Sequence, residues 1–321
     1  MNHKNAAVLI TIVAFTILTL SILKRSSRTS ESGKKIIGIL QTASHPALDA
    51  VRKGFVDVIR ADGNNNITYI ERNGQGVISN IHAIAQQFHA QDKADIFFTI
   101  ATPATQAMVA VEQDKPVIMA AVSLSLDSPL FEATNLCGIS DMIDVSAEID
   151  AMKKLLPTIK TVGIFYNNGE INSITMAQLM VNALQKTDIT PLLIGVSSEV
   201  EIEPALLSAM PKVDAIITPI DNMVATSIAL IVHIMEKVQK PLIVSDNMLV
   251  KEGALMSRGI DYYASGKQAG KIAIDIVMNN KTPDVINIIK SSTKQIFVNK
   301  QVAQKYNVII PQDLEKDIIF V

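Results

Sequence analysis

The sequence has a single cysteine, Cys137, no tryptophan, and only 4% aromatic residues. One thiol excludes an internal disulfide and any cysteine-cluster metal site. The five histidines (His3, His45, His82, His89 and His233) form neither an HxxxH nor an HExxH pair, so a zinc-enzyme signature is missing. GxGxxG, Walker A and GxSxG are also absent, and with them the commonest signs of nucleotide or hydrolase chemistry. No charge dominates: 29 Lys+Arg stand against 31 Asp+Glu, a net charge of −2. That argues against a nucleic-acid binder relying on a basic face. With 14 Gly and 12 Pro in 321 residues, collagen-like and low-complexity chains are excluded. What the chain does have is apolar content, 48%, enough for substantial cores. At roughly 150 residues per domain, its length suggests two domains.

The first apolar feature is Ala6–Leu23, 18 residues without a charge. As a helix it would be about 27 Å long, close to bilayer thickness. Lys4 precedes it, and Lys24, Arg25 and Arg28 follow. The run is longer than a usual signal-peptide core and no clean A-x-A site follows, which favours a retained anchor over a cleaved signal. No Cys stands near its end, so a lipoprotein signal is excluded. More positive charge follows the run than precedes it, against the positive-inside rule, but long downstream domains translocate despite such charge. The expected location of the rest is therefore periplasmic or otherwise extracytoplasmic. Residues 1–25 read as the membrane segment and the Ser-rich stretch 26–34 as a linker.

From Lys35 short apolar runs alternate with helical periodicity. Ile36–Leu40, Ile67–Glu71, Asp95–Ile100 and Val117–Val122 read as strands. Ala47–Ala61, Ser79–Gln91 and Pro103–Glu112 read as the helices between them. The pattern restarts near residue 160. Strands are expected at Val162–Tyr166, Thr190–Ile194, Ala215–Ile220, Leu242–Ser245 and Leu255–Ile260. Helices are expected at Ile171–Lys186, Glu199–Met210, Met223–Val238 and Tyr263–Asn279. Continuous apolar strands separated by helices mark parallel sheets covered on both faces. The halves echo each other: Gly38-Ile39 answers Gly163-Ile164, and Lys115-Pro116 answers Lys240-Pro241, both 125 residues on. The fold class expected is α/β, two Rossmann-like parallel-sheet lobes with a cleft between them. The first lobe would take residues 35–142 plus about 262–283, the second 143–261 plus about 284–321. The tail would return to the second lobe as a strand, Ile286–Val298, and a short helix, Lys300–Tyr306.

Ligands of open α/β sheets bind beyond the carboxyl ends of the strands. Those ends carry hydroxyls, amides and isolated acids, a kit for a small polar or zwitterionic solute. His45 follows the first strand. Thr102 and Thr105 flank Pro103 at a helix start, where N–H groups and hydroxyls would take a carboxylate, although Thr102 is equally a plain N-cap. Ser123, Ser140 and Asp141 follow later strands. In the second half come Asn172, Ser173, Asp221, Asn222, Ser245 and Asp246. Asp246 or Asp221 would pair with an ammonium; Asp246 reads equally as a turn or helix-cap residue. No nucleophile–base pair stands out, and no cofactor is expected.

Several stretches resemble one family in order. They are Ile37-Gly38-Ile39-Leu40-Gln41, His45-Pro46-Ala47-Leu48-Asp49-Ala50, Ile100-Ala101-Thr102-Pro103-Ala104-Thr105, and Gly138-Ile139-Ser140-Asp141-Met142. Later ones are Leu155-Leu156-Pro157, Thr218-Pro219-Ile220-Asp221-Asn222, Ser245-Asp246 and Gly259-Ile260-Asp261-Tyr262-Tyr263. Together they are similar to the ABC-transporter substrate-binding proteins of the tryptophan/tyrosine-type group. The resemblance implies a type I periplasmic binding fold, capture of an amino acid, possibly aromatic, and delivery to an ABC permease by a monomer. It implies that the residues named above form the ligand site, with Tyr166 or Tyr262 as an apolar wall for an aromatic side chain. Two departures stand out. Many relatives have Asp-Pro soon after the fourth strand, where this chain has Ser123-Leu124-Ser125-Leu126-Asp127-Ser128-Pro129. Relatives are commonly lipoproteins, and this chain lacks the lipidation Cys. Two rivals remain at this level: a membrane-tethered sensor domain, and an enzyme on the same fold.

Overall fold

A computed structural model describes residues 34–63, 66–91, 93–125, 127–291 and 295–321. The apolar run 6–23 and the linker lie outside the described residues, apart from Lys34. Among the described residues no helix is long and apolar enough to cross a membrane.

The chain from Ile36 onward builds two sheets. The first contains β1 (Lys35–Gln41), β2 (Ile67–Asn73), β3 (Ile96–Ile100), β4 (Val117–Val122) and β5 (Leu136–Ser140). Its spatial order is β2-β1-β3-β4-β5, with β11 (Ile289–Lys290) added beside β5. The second holds β6 (Thr161–Asn167), β7 (Thr190–Val196), β8 (Ala215–Thr218), β9 (Leu242–Val244) and β10 (Met256–Ser257), in the order β7-β6-β8-β9-β10. Beyond β10 lie β12 (Ile296–Val298), antiparallel to it, and β13 (Ile318–Phe320). Both lobes thus follow the flavodoxin-like doubly wound order, 2-1-3-4-5, with the order reversing between the first and third strands. The sequence echoes fall on equivalent strands. Gly38 and Gly163 lie on β1 and β6, and the Lys-Pro pairs directly precede β4 and β9.

Alternation along the strands fills both faces of each sheet. On β3, Ile96, Phe98 and Ile100 join the core beneath α1 (Pro46–Ala61) and α9 (Tyr262–Asn279). Phe97 points the other way, into the core beneath α2 (Ile78–Gln91) and α3 (Thr102–Val111). Phe98 stacks on Phe55 of α1 with ring centroids 3.8 Å apart. The second sheet is covered by α4 (Val145–Leu155) and α5 (Ile171–Leu184) on one face. Helices α6 (Ile202–Ala209), α7 (Asn222–Thr226) and α8 (Ile228–Lys237) cover the other. Helix α9 crosses α1 closely because glycines face it: a Cβ on Gly266 would lie 2.0 Å from the Val51 carbonyl oxygen, and one on Gly54 2.2 Å from that of Tyr263.

Three expectations change in detail. The stretch read as one strand over 286–298 divides, its first part pairing with β5 in the first sheet and its last with β10 in the second. The helix expected over 223–238 breaks at Ser227 into α7 and α8. The last lobe-two strand is only Met256–Ser257, because the chain then leaves for α9. The tail helix α10 spans Lys300–Lys305 and is capped by Asn299.

Candidate functional site: the interlobe cleft

Each sheet reverses its strand order at one point, and loops leave the carboxyl ends of the strands there. In the first lobe these are the turns after β1 and β3, and in the second those after β6 and β8. They meet in one buried cavity. His45, Leu48, Ala101, Ala121, Ser123, Asp141 and Tyr262 line it from one side, Asn172, Ile220, Asp221, Asn222 and Asp246 from the other. The space open to the centre of a water molecule is about 10 Å³, so nothing much larger than water enters unless the lobes part. His45 Nε2 lies 3.3 Å from Asn222 Oδ1, a buried hydrogen bond across the cleft.

Two backbone kinks shape the first-lobe wall. Ala101, which precedes α3, has φ 78°, and Ala121 near the end of β4 has φ 57°. Both are non-glycine residues with positive φ, a conformation costing of order 1–3 kcal/mol each, and such strain gathers at ligand sites.

The cleft is rich in buried acid. Ser123 Oγ donates to Asp141 Oδ1 at 2.6 Å, and Tyr262 OH approaches Asp141 Oδ2 at 3.5 Å. Burial nevertheless pushes Asp141 up to about 6. Asp246 accepts the Met248 N–H through Oδ1. Burial, with the Asp141 charge adding to it, pushes Asp246 up to about 7. On the other wall Asp221 caps α7 through Val224 N–H and accepts the Ser173 hydroxyl at 2.5 Å and the Asn167 N–H at 2.7 Å. Burial raises it. Glu170 accepts four N–H contacts, from Asn167 Nδ2, Asn172 Nδ2 and both the backbone and side chain of Asn222. Burial first, then the Asp221 charge, pushes it up to about 7. Behind the wall Glu148, held by Ser245 Oγ at 2.8 Å, is raised by burial to about 8. Among the described residues none of Asp141, Asp246, Asp221 or Glu170 has a Lys, Arg or His in ion-pair contact. A buried carboxylate lacking a cation is costly to ionise. An ammonium group fits that deficit.

Of the residues singled out from sequence, His45, Ser123, Asp141, Asn172, Asp221, Asn222 and Asp246 come together on the cavity wall. The other five stand behind it. Thr105 turns inward, its hydroxyl 2.9 Å from that of Thr99 and 3.1 Å from the Ala101 carbonyl. Thr102 accepts the Ser123 N–H, and Ser140 donates to the Val122 carbonyl. Ser173 and Ser245 donate to Asp221 and Glu148. The carboxylate pocket built from the Thr102 and Thr105 hydroxyls is therefore not what the geometry offers. Tyr262 lines the cavity, and Tyr166 packs in the second-lobe core instead. Both readings of Asp246 coexist, since it caps the turn after β9 and also lines the cleft, and Asp221 proves to be a cap as well. Sequence reasoning missed Glu170, Ala101 and Ala121.

Comparison with known proteins bears on this geometry. The family model of the ABC transporter substrate binding proteins matches residues 36–318. The chain belongs to that family. It is 30% identical over 283 residues to a tyrosine-binding protein of Clostridioides difficile (strain R20291), a match covering 86% of this chain and 81% of that one. It superposes with a TM-score of 0.84 and 30% identity on an ABC domain from Streptococcus pneumonia in complex with L-Trp, covering 89% of this chain and 100% of the other. A ligand-free, open substrate binding protein from Clostridium difficile gives a TM-score of 0.64, again at 30% identity, over 89% of this chain and 99% of that one. The better superposition on the ligand-bound relative fits the hydrogen bond that joins the lobes here. This substrate-binding protein has the type I periplasmic binding fold and is extracytoplasmic, and its family is one of binders rather than enzymes.

Proposed function

We propose that this substrate-binding protein captures an aromatic amino acid, tyrosine or tryptophan, between its lobes and delivers it to an ABC permease. The observation that carries the reading is the pair Asp141 and Asp246, buried in one cavity with Tyr262 and with no cationic partner among the described residues. An α-ammonium group placed between them offsets the desolvation of both carboxylates and hydrogen-bonds to each. Tyr262, Leu48, Ile220 and the alanines supply an apolar wall for a ring. The relatives that bind tyrosine and L-Trp support the aromatic choice. Because both lobes contribute, the contacts are complete only on closure, so ligand shifts the population toward the closed form that a permease would meet. The apolar run 6–23 would tether the protein to the membrane surface where that permease lies.

The test is a thermal-shift and calorimetric screen of the protein against the twenty amino acids, purines and simple sugars. A ligand at 100 times its dissociation constant stabilises by about 2.7 kcal/mol. Tyrosine or tryptophan should be bound and recovered unchanged. Binding confined to sugars or purines, or chemical conversion of the bound molecule, would overturn the proposal.

A further inference from the structure

The amide orientations around Glu170 determine which atom of His45 is left for a ligand. Asn167 Oδ1 accepts the Gly169 N–H at 2.8 Å, so its Nδ2 faces Glu170. Asn172 Nδ2 donates to the Ile220 carbonyl at 3.1 Å, so its Oδ1 points elsewhere. Glu170 Oε2, which accepts the Asn222 backbone N–H, lies 2.5 Å from the Asn222 amide, which therefore presents Nδ2 to it. Asn222 Oδ1 is then the atom left facing His45, 3.3 Å from Nε2. An amide oxygen accepts only, so Nε2 carries the ring proton. The remaining ring nitrogen, Nδ1, is a bare lone pair. It is buried and has no partner among the described residues, and Asn172 Oδ1 shares that condition. Both side chains are more than nine-tenths buried and both line the cleft. Burial also lowers the affinity of His45 for a second proton.

The cleft thus holds two kinds of acceptor. Asp141 and Asp246 are ionisable acids and suit an ammonium, which favours their charged forms. His45 Nδ1 and Asn172 Oδ1 are neutral, and a neutral donor suits them. We infer that His45 Nδ1, with Asn172 Oδ1, selects ligands whose aromatic side chain ends in a hydrogen-bond donor, a phenol O–H or an indole N–H, over isosteres that lack one. The inference rests on the aromatic amino-acid reading of the same cleft. A phenol or an indole has one donor hydrogen and satisfies one of the two acceptors, whereas phenylalanine would leave both unsatisfied, and sites built to hydrogen-bond a substrate group reject analogues lacking it strongly.

Calorimetry on the full-length protein at pH 7.5 tests this with L-tyrosine against 4-fluoro-L-phenylalanine, and L-tryptophan against 3-benzothienyl-L-alanine. The second member of each pair keeps the ring shape and removes the donor. The wild type should bind at least one donor-bearing member about 10- to 100-fold more tightly than its isostere. The variant His45→Gln retains an N–H near the Nε2 position for Asn222 and loses the Nδ1 acceptor. In it the ratio should collapse to about threefold or less. The wild-type comparison stands alone if the variant does not fold, and ¹⁵N spectroscopy of the wild-type ring should show Nδ1 unprotonated. Equal binding of both members of each pair would overturn the inference while leaving the amino-acid reading intact, as would a ratio unchanged in the variant or a proton on Nδ1. Failure of every amino acid to bind would overturn both.

Discussion

Asp246→Asn separates the cost of the buried acids from their use. The Asp246 carboxyl moves from an ordinary 3.8 to about 7 in the folded protein. The folded state therefore holds this proton when the unfolded chain has already released it. The sign follows from linkage: the contribution to stability is intact below about 3.8 and is lost as pH rises toward about 7. The full shift corresponds to about 4 kcal/mol, an upper bound that relaxation and water entry reduce to about 2–4 kcal/mol. Asparagine has the same size, cannot ionise, and still accepts the Met248 N–H through Oδ1. His45 works in the opposite direction, because burial lowers it and stability rises with pH up to its unfolded value near 6.5. Comparing variant with wild type at two pH values cancels that contribution. Urea unfolding in ligand-free buffer should find the variant stabilised relative to wild type by about 1–2.5 kcal/mol more at pH 8 than at pH 5, the part of the shift that is lost between those two values. The variant should also lose amino-acid affinity by about 100-fold or more, because one of two carboxylates facing the ammonium is gone. An identical stability difference at the two pH values would refute the claim that Asp246 is a desolvated, unpaired acid.

Gly266→Ala places a methyl against the Val51 carbonyl at the α1–α9 crossing, and chemical denaturation should record a loss of about 1–3 kcal/mol or more. Asn222→Ala removes the hydrogen bond between the lobes and one donor to Glu170. Calorimetry should show affinity falling about tenfold or more, and small-angle scattering a larger radius with ligand present. Cys137 is buried, and burial pushes its thiol up to about 12, so a disulfide reagent at pH 8 should label it only when the protein unfolds.

Much of the fold was legible because parallel strands buried on both faces must be continuously apolar, as Ile96–Ile100 and Val117–Val122 are. The repeated Lys-Pro and Gly-Ile pairs fell on equivalent strands because the two lobes share one winding. The strand-end rule found Asp141, Asp246, Asp221 and Asn222 without any geometry. It failed where hydroxyls turn inward. Thr105 satisfies itself on Thr99 and the Ala101 carbonyl, and strand-end position says nothing about which way a side chain rotates. Ala101 and Ala121 were missed because positive φ in alanine leaves no compositional trace, unlike glycine. Glu170 follows Asn167-Asn168-Gly169 at a strand end, and its burial against Asn222, 52 residues on, leaves no trace in the local sequence. The tail strand over 286–298 looked continuous because apolar pattern cannot say which of two sheets offers an edge.

Strain and unpaired charge meet at one place in this molecule. Ala101 and Ala121 hold unfavourable backbone conformations at the same cavity where Asp141 and Asp246 lie buried without a cation. The strained backbone is held in place by the first-lobe packing, whereas the buried acids lower the stability of the closed lobes until a group that enters the cleft pairs with them. On the proposed reading this makes closure conditional. A ligand with an ammonium repairs the electrostatic deficit, and one carrying only carboxylates would add a third negative charge to two already raised by burial. A neutral ring without the ammonium would exclude water from both acids and leave them unpaired. Discrimination therefore resides as much in what the unpaired groups repel as in what they attract. The expected consequence is a protein that closes fully on a free aromatic amino acid and not on its deaminated analogue. Scattering with L-tyrosine against 4-hydroxyphenylpropionate should resolve that difference. Equal compaction by both would show that the acids do not control closure.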